Sequence, residues 1–448
     1  MPATQAPAIV YYGDDFTGAT DTLGTAARAG LGALLFLKTP DAARLAQAGP
    51  LDVLGIAGAA RAMAPEAMQA ELAPVAALFR SLGARVLHYK TCSTFDSAPH
   101  IGSIGAAVHA LRGAVEQPWA AIVGGQPNIG RHCLFGNLFA AAGAGGEVFR
   151  IDRHPTMRRH PVTPMHEADL RLHLAKQGLA GVRSIPFTAA SQGPQVLGEA
   201  MQRALRPDAG NTEAVLFDVA DAPQLAAIGQ VLWAEARRAT LLAVGPSSVV
   251  DALAGALGAR IDAQAAPPRH VAPARGPVLV LAGSLSPVTA RQVAAARSFD
   301  TVWLDAPRLA QRDAATLERH ARDIAQGLAR GRNMLACTRP AEQTLTQGNV
   351  DAQALSRAGG DLLAKVLAMA PLQRVGIAGG DTSSHAVQAL DAWGLSYVAD
   401  MGAGASLCRV HSDDAALDGM EIMLKGGQMG SEDVLEQLVH GSGSGPHT

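Results

Sequence analysis

Short apolar runs alternate with longer segments in which Ala, Leu and charged residues recur at helical spacing. Runs of this size and composition are typical of buried strands, and the segments between them are typical of amphipathic helices. We therefore predict strands at residues 9–12, 34–37, 53–56, 86–89, 120–123, 182–186, 214–219, 240–244, 278–282, 302–304, 333–337 and 375–378. Strands that alternate with helices predict an α/β fold with mostly parallel sheets flanked by helices.

This alternation is interrupted around residues 262–276, where Pro267 and Pro268 are adjacent and no apolar periodicity remains. Such a segment is typical of a linker. We predict two domains, residues 1–265 and 278–440, joined by a Pro-rich linker at 266–277, with a disordered Gly/Ser-rich tail at 441–448. We expect the active site in the cleft between the two domains.

The composition indicates an ordinary globular protein of 448 residues, with 48% hydrophobic and 17% charged residues. A net charge of −2 gives no electrostatic footprint for nucleic acid or an acidic membrane. The four cysteines lie far apart without metal-site spacing, which is typical of reduced thiols. We find no signal-peptide pattern and no apolar run long enough to span a membrane, so we expect a cytoplasmic protein.

Two adjacent carboxylates, Asp14 and Asp15, follow the first predicted strand directly, and a helical pattern covers residues 21–29. In open α/β sheets, ligands bind outside the carboxyl ends of the strands. The pair could hold a substrate hydroxyl, accept its proton or bind a metal ion. Asp15 or Thr17 could instead serve only as a helix cap, but for two carboxylates flanked by glycine we favour chemistry.

Further polar groups follow other predicted strands at the same edge of the sheet. Lys90, Ser93, Thr94 and Asp96 lie between a strand and a helix, an arrangement that suits a carboxylate or a polyol. Arg61 follows the strand at 53–56. Arg131 ends a Gly-rich loop, for which a plain turn with a surface arginine is the alternative.

Three histidines, His154, His160 and His166, are spaced six residues apart in a Pro-punctuated stretch. This spacing fits no pair of ligands on one helix face, so we predict no protein-bound metal there.

Two turns in the second half, residues 283–286 and 379–382, combine glycine with hydroxyl side chains after a predicted strand and before a helix. Glycine lets the backbone approach a phosphate, and a helix N-terminus supplies N–H donors. Neither turn is a Walker A loop or a GxGxxG dinucleotide motif. Together with Gly402, Gly404 and Lys425 they indicate a nucleotide site, although Ser286 and Thr382 could each be simple caps. A polar acidic site in one half and phosphate-type turns in the other suggest a kinase.

These motifs resemble the four-carbon acid sugar kinase family. The resemblance covers nearly the whole chain in order, through residues 14–21, 90–97 with 104–105, 160–165, 283–292, 379–383 and 424–427. The Cys-Ser-Thr-Phe-Asp-Ser run at 92–97 is most similar to the 3-oxo-tetronate kinase branch. Residues 102–105 and 425–430 depart from the usual family pattern. The resemblance implies a four-carbon acid such as 3-oxo-tetronate, threonate or erythronate, with an oxo-isoapionate type of acid as the alternative.

The resemblance also implies that the N-terminal domain binds the sugar acid and the C-terminal domain binds ATP with Mg²⁺. It makes Asp15 the base for the attacking hydroxyl and Asp14 the group that positions the substrate or Mg²⁺, with Lys90 beside them in the catalytic group. Contacts to the acid are expected from Arg61, Ser93, Thr94, Asp96 and Arg131. Contacts to the nucleotide are expected from Ser284, Ser286, Gly379, Gly380, Asp381, Thr382, Gly402, Gly404 and Lys425.

Two other functions remain open from the sequence. A sugar-acid dehydrogenase is disfavoured because the dinucleotide motif is absent. A non-catalytic sugar-acid-binding regulatory protein would not need the carboxylate pair. The sequence predicts neither a nucleic-acid nor a membrane partner, and it leaves a homodimer open.

Overall fold

A computed structural model describes residues 6–442 except 144, 161, 208–209, 259–269, 284–285, 339–350 and 403, and except the side chains of Ala352 and Asp381. The chain divides into two compact units, Met1–Ala266 and Pro267–Thr448. Among the described residues, no helix combines the length and apolar character needed to cross a membrane.

The first unit contains both a parallel sheet and a small antiparallel extension. Its strands are β1 Ile9–Gly13, β2 Ala33–Phe36, β3 Val53–Ala57, β4 Val86–Lys90, β5 Ala120–Gln126, β6 Arg131–Leu134, β7 Asn137–Ala141, β8 Val148–Arg150, β9 Val182–Ile185, β10 Ala214–Asp218 and β11 Leu241–Gly245. Its helices are α1 Phe16–Arg28, α2 Ala42–Ala48, α3 Pro65–Leu82, α4 Ile104–Arg112, α5 Leu170–Ala175, α6 Phe187–Ala190, α7 Pro194–Ala204, α8 Pro223–Arg238 and α9 Ser248–Ala256.

The main sheet of the first unit is parallel, with the described strands in the order β2-β3-β1-β4-β11-β5-β10-β9. Strands β1, β4, β10 and β11 are buried along their whole length, as expected for strands covered on both faces. Gly13 of β1 is in register with Ala57 of β3 and with Lys90 of β4. The segments that follow these three strands therefore start side by side.

Two local features of the first unit differ from the sequence prediction. Helix α1 begins at Phe16, five residues before the predicted pattern, because Asp15 is its N-cap. The loop predicted at 124–131 is partly strand: β5 runs to Gln126, and β6, β7 and β8 continue from it as an antiparallel extension. These strands are three to five residues long, which is too short for a clear alternating pattern.

The second unit is also a helix-flanked sheet. Its strands are β12 Leu279–Ala282, β13 Phe299–Leu304, β14 Asn333–Thr338, β15 Arg374–Ala378, β16 Ala392–Asp400, β17 Ala405–Ser412 and β18 Glu421–Lys425. Its helices are α10 Pro287–Ala295, α11 Ala306–Ala310, α12 Ala314–Ala329, α13 Ala352–Met369, α14 Gly380–Ala389 and α15 Val434–His440.

Five of these strands form a parallel sheet in the order β13-β14-β12-β15-β18, and β17 and β16 continue it in antiparallel fashion. The sheet core includes Val280, Leu335, Leu407 and Met423. Val271, from the segment predicted as a linker, is buried in the same core. The predicted class, two α/β domains with mostly parallel sheets, is confirmed, whereas β16–β18 were not predicted.

Candidate functional site

The turn between β1 and α1 holds the two adjacent carboxylates in a fixed backbone frame. The Asp14 N–H donates to the Lys90 carbonyl at 3.0 Å, which ties the turn to β4. Asp15 is extended (φ −140°) and caps α1, accepting the Gly18 N–H at 2.8 Å on Oδ1. Asp15 therefore does cap the helix, as the alternative interpretation of the sequence allowed. The cap uses Oδ1 and leaves Oδ2 for other partners.

Arg61 bridges both carboxylates. It lies in a single 3₁₀ turn, Ala60–Ala62, after β3, and its backbone N–H donates to the Asp14 carbonyl at 3.0 Å. Its Nε and Nη2 donate to Asp14 Oδ2 and Oδ1 at 3.2 and 2.8 Å. Its Nη1 donates to Asp15 Oδ2 at 2.7 Å. One planar guanidinium thus holds two adjacent carboxylates, which would otherwise repel each other.

Lys90 approaches Asp15 from the opposite side. Its side chain is 5% exposed, and its Nζ lies 3.7 Å from Asp15 Oδ1. This path passes over the first turn of α1, where a Cβ on Gly18 would stand 1.6 Å from Lys90 Nζ. Glycine at position 18 is therefore needed for the lysine to reach the carboxylate.

The two carboxylates differ in exposure and in protonation. The Asp14 side chain is 4% exposed, and burial, only partly offset by Arg61, raises its pKa above the ordinary value. Asp15 is 29% exposed. Burial opposes its ionisation too, but the attraction of Arg61 and Lys90 and the Gly18 N–H outweigh it and lower its pKa. Asp15 is thus the more exposed of the two carboxylates and the one whose ionised form is favoured.

The loop after β4 brings together several predicted site residues. Thr94 Oγ1 donates to Asp96 Oδ1 at 2.5 Å, and Cys92 Sγ lies 2.9 Å from the same hydroxyl. Thr163 Oγ1 donates to Asp96 Oδ2 at 3.3 Å. The buried Asp96 carboxylate thus accepts a threonine hydroxyl on each of its two oxygens. Ser93 lies half-buried in the same loop.

Thr163 was not predicted as a site residue. Its segment, 160–165, carried part of the family resemblance, but only the fold shows that its hydroxyl reaches Asp96.

The backbone of this loop is held in an uncommon conformation. Phe95 is fully buried and has a φ of +52°, in the left-handed region that L side chains rarely adopt. Ser97 Oγ donates to the Phe95 carbonyl at 2.9 Å and lies 2.9 Å from His173 Nε2 of α5. Uncommon backbone conformations of this kind cluster at ligand sites.

The start of α4 is capped by side chains. Gln177 Oε1 accepts the Ile104 N–H at 2.7 Å, and Ser103 Oγ accepts the Ala106 N–H at 3.1 Å. These N–H groups are therefore already paired within the protein.

Arg131 lies at the start of β6, and its Nη1 donates to the carbonyls of Ile129 and Ala141 at 2.7 and 3.3 Å.

At α1, the fold forms a second polar group that the sequence reasoning missed. Asp21 Oδ2 accepts from Gln126 Nε2 at 3.2 Å and from the Ser247 hydroxyl. Because β5 and β11 are parallel, Gln126 at the end of β5 and Ser247 just after β11 lie at the same edge of the sheet, which could have indicated the grouping.

In the second unit, Lys425 ends β18 and is fully buried. Its Nζ donates to Thr289 Oγ1 at 3.2 Å and to the Gly426 carbonyl at 3.1 Å. Burial lowers its pKa to about 8. The hydroxyls of Ser286 and Thr289, at the start of α10, donate to the Gly427 carbonyl. Lys425 and α10 thus hold the Gly-rich turn that follows β18.

The two phosphate-type turns lie against each other. Gly379, with φ +131°, precedes α14, and its N–H donates to the Lys425 carbonyl. A Cβ on Gly283 would stand 2.1 Å from Thr382 Oγ1, so β12 and α14 approach closely.

The remaining predicted nucleotide residues are placed as follows. Gly380 opens α14, and Thr382 is buried in its first turn. Gly402 and Gly404, with φ of +102° and +70°, lie between β16 and β17. Ser284 and the side chain of Asp381 lie outside the described residues.

No group of three or more His, Cys, Asp or Glu side chains with metal-binding geometry occurs within the described parts of the chain. The Asp14 carboxylate, for which a Mg²⁺ contact was one expectation, has both oxygens on Arg61. The guanidinium therefore already supplies positive charge to this carboxylate.

Comparisons with known proteins agree in both halves of the chain. A family model described as a sugar-binding N-terminal domain matches residues 9–253, and one described as a nucleotide-binding C-terminal domain matches residues 279–435. The chain is 39% identical to a 3-oxo-isoapionate kinase of Paraburkholderia graminis, over 96% of this chain and 94% of the relative. It is 31% identical to a 3-oxo-tetronate kinase of Cupriavidus necator, over 95% of each chain.

Solved structures match over the whole chain at lower identity. A Haemophilus influenzae protein aligns with a TM-score of 0.73 and a Salmonella typhimurium protein with 0.79, each at 22% identity. The alignments cover 95% and 97% of this chain and 98% of each matched chain. At this identity the likeness supports the fold alone.

Proposed function

The chain belongs to the four-carbon acid sugar kinase family, and on that premise we infer that it is an ATP-dependent kinase of small sugar acids. We propose 3-oxo-isoapionate, or a closely related hydroxylated oxo acid, as its acceptor. The observation that carries this choice is the 39% identity to the 3-oxo-isoapionate kinase, against 31% to a 3-oxo-tetronate kinase at similar coverage. The sequence motifs alone favoured the tetronate branch.

We propose that Asp15 accepts the proton of the attacking hydroxyl. Phosphoryl transfer needs mainly alignment, neutralisation of charge and a group that takes up that proton. Asp15 is the more exposed carboxylate of the pair, and Arg61, Lys90 and the Gly18 N–H favour its ionised form. The hydroxyl oxygen bonds to the γ-phosphorus of ATP as the bond to the ADP oxygen breaks, and its proton passes to Asp15.

The neighbouring groups are proposed to bind the rest of the acid. The Lys90 ammonium supplies positive charge for a carboxylate or oxo group, and Thr94 and Asp96 present hydroxyl and carboxylate oxygens to a polyol. Ser93 and Arg131 complete the proposed contacts. Arg131 is half-buried, and part of its donor capacity already goes to backbone carbonyls.

In the second unit we propose that the turns before α10 and α14 bind the phosphates of MgATP. Glycine at 283 and 379 and the helix N-terminus at Gly380 suit close approach of phosphate oxygens. Ser284, Ser286, Asp381, Thr382, Gly402 and Gly404 are proposed to line the nucleotide. Mg²⁺ is expected to arrive as part of MgATP, where it neutralises phosphate charge.

Replacement of the buried lysine tests the nucleotide side of this proposal. In Lys425→Met, the bonds to Thr289 and Gly426 are lost, so the turn after β18 is released. Hydrogen bonds to a charged group contribute about 1.5–3 kcal/mol, so we expect KM for MgATP to rise about 10- to 100-fold. Steady-state kinetics with each substrate varied in turn measures this, and KM for the acid should change much less.

Lys365→Met is the matched control, because Lys365 belongs to the same unit, is 38% exposed and pairs with Glu318 at the surface. It should leave both KM values unchanged. An unchanged KM for MgATP in the folded Lys425→Met protein would remove Lys425 from the nucleotide site.

The acceptor is tested with a coupled ADP assay over 3-oxo-isoapionate, 3-oxo-tetronate, threonate and erythronate, with MgATP. We expect the highest kcat/KM for 3-oxo-isoapionate. A preference for 3-oxo-tetronate would support the kinase assignment and would contradict the proposed specificity for 3-oxo-isoapionate. Binding of an acid without ADP formation would favour a regulatory binding protein, and reduction of NAD(P) would favour a dehydrogenase.

A further inference from the structure

The contacts of Arg61 leave its guanidinium little capacity for a substrate. Nε, Nη1 and Nη2 each donate to a carboxylate oxygen of Asp14 or Asp15, at 2.7–3.2 Å. The backbone N–H of Arg61 is fixed to the Asp14 carbonyl. The arginine is therefore part of the turn that carries the two carboxylates.

We propose that Arg61 is a positioning residue: it holds Asp15 as the ionised acceptor for the attacking hydroxyl, and it is not a ligand of the substrate's carboxylate. This inference rests on the proposed kinase function and deepens it. It gives Arg61 a different role from the substrate contact that the sequence favoured.

The first reason is geometric. The guanidinium has a rigid planar fork, and it uses one edge for both oxygens of Asp14 while Nη1 reaches Asp15. A lysine at this position would offer the same charge from a single nitrogen. Only an arginine can hold both carboxylates in fixed orientations at once.

The second reason is the charge around Asp15. The ionisable groups that face this cluster are Asp14 on the same turn, Tyr89 and Lys90 on β4, and Cys92 and Asp96 on the next loop. Asp14 and Asp15 each disfavour a second negative charge beside them, and Arg61 and Lys90 are the cations that oppose this repulsion. Removal of Arg61 leaves Lys90, at 3.7 Å, as the remaining cation in this group.

The third reason is that Lys90 has hydrogen-bond donors available for the substrate acid. Within the described residues, its ammonium makes one ion-pair contact, the 3.7 Å approach to Asp15. An ammonium has three donors, so most of its hydrogen-bonding capacity is available. An incoming carboxylate or oxo group would meet Lys90, while Arg61 stays on the aspartates.

The pH dependence of the reaction separates the two roles. Arg61 lowers the pKa of Asp15, so its loss raises that pKa, and Asp15 then becomes protonated at a higher pH. A base must be ionised, so activity is lost as the pH falls through this pKa. We therefore expect the acidic limb of the kcat profile to lie at a higher pH in Arg61→Gln than in the wild type.

The experiment compares wild type, Arg61→Lys and Arg61→Gln, with Arg80→Gln as a control at an exposed position of the same unit. We expect kcat at neutral pH to fall about 100-fold in Arg61→Gln and less in Arg61→Lys, which keeps the charge without the fork. KM for MgATP should not change. If KM for the acid rises while kcat and the acidic limb stay as in the wild type, Arg61 binds the substrate and the proposal is wrong.

A measurement without turnover separates this inference from the kinase assignment. Carboxyl ¹³C NMR of Asp-labelled protein, assigned with Asp14→Asn and Asp15→Asn, follows the titration of Asp15 with no substrate present. A shift of this titration to higher pH in the Arg61 variants supports the positioning role even if no tested acid is phosphorylated. Phosphorylation without such a shift overturns the positioning role and leaves the kinase function intact. If Arg61→Gln does not fold, Arg61→Lys carries the same comparison.

Discussion

Asp15→Asn should abolish phosphorylation of the sugar acid while MgATP binding survives. The amide keeps the shape of the side chain and can still cap α1, because Asn is as good an N-cap as Asp. It cannot accept the proton of the attacking hydroxyl. General-base contributions are typically 10²- to 10⁴-fold, so we expect kcat to fall by about that factor. The measurements are kcat for the acid and the rise in Tm that MgATP produces.

Asp41→Asn is the matched control, because Asp41 caps α2 in the same way, with Oδ1 accepting the Arg44 N–H at 2.9 Å. It lies at an exposed position, and it should leave kcat unchanged. If folded Asp15→Asn protein retained kcat within about fivefold of the wild type, a loss far below the usual contribution, Asp15 would not be the base.

The part of the site nearest to the chain start was predictable from local sequence. A buried apolar run that stops at Gly13 before two carboxylates fixes both the end of β1 and the position of Asp14 and Asp15. Lys90 was predictable for the same reason, since it ends another such run. The parallel register then brings these strand ends together, which is a general property of the fold class.

The partners of these residues were not predictable in the same way. The bridge from Arg61 to Asp14 and Asp15 spans more than forty residues, and the Thr163 contact to Asp96 spans 67. Such contacts depend on the conformations of the loops at the sheet edge, and the hydrophobic periodicity of a single sequence does not predict loop conformations. Strands β16–β18 were missed because they follow one another in antiparallel pairs, without the helices that mark the other parallel strands.

The contacts with Arg61 and Lys90 also give Asp14 and Asp15 different chemical properties. From the sequence, Asp14 and Asp15 are two similar acids beside a glycine. The fold gives them opposite pKa shifts, because one is buried on Arg61 and the other faces two cations and a helix N-terminus. Environments that separate the pKa values of neighbouring groups are typical of acid–base sites.

Gly18→Ala should impair the use of the sugar acid although it places a better helix former in α1. Alanine is favoured over glycine in a helix by about 1 kcal/mol, so local propensity alone would stabilise the variant. The new Cβ would stand 1.6 Å from Lys90 Nζ and 2.5 Å from Asp15 Oδ1. The lysine must therefore leave its position, and misplacement of about 1 Å can reduce the rate about 100-fold. We expect kcat/KM for the acid to fall by about that factor, with KM for MgATP unchanged.

Two further variants separate the clash from the general effect of alanine. Gly255→Ala, in α9, adds a Cβ that meets no atom within 4 Å, so it should raise Tm slightly and leave kcat/KM unchanged. Gly18→Ala combined with Lys90→Ala removes the contact with the lysine and leaves the 2.5 Å approach to Asp15 Oδ1, so we expect Tm to recover in part while activity stays low. Recovery of activity in the double variant would mean that Lys90 is dispensable and that the glycine serves only packing. Low activity with a recovered Tm would instead assign the loss to the missing ammonium beside Asp15.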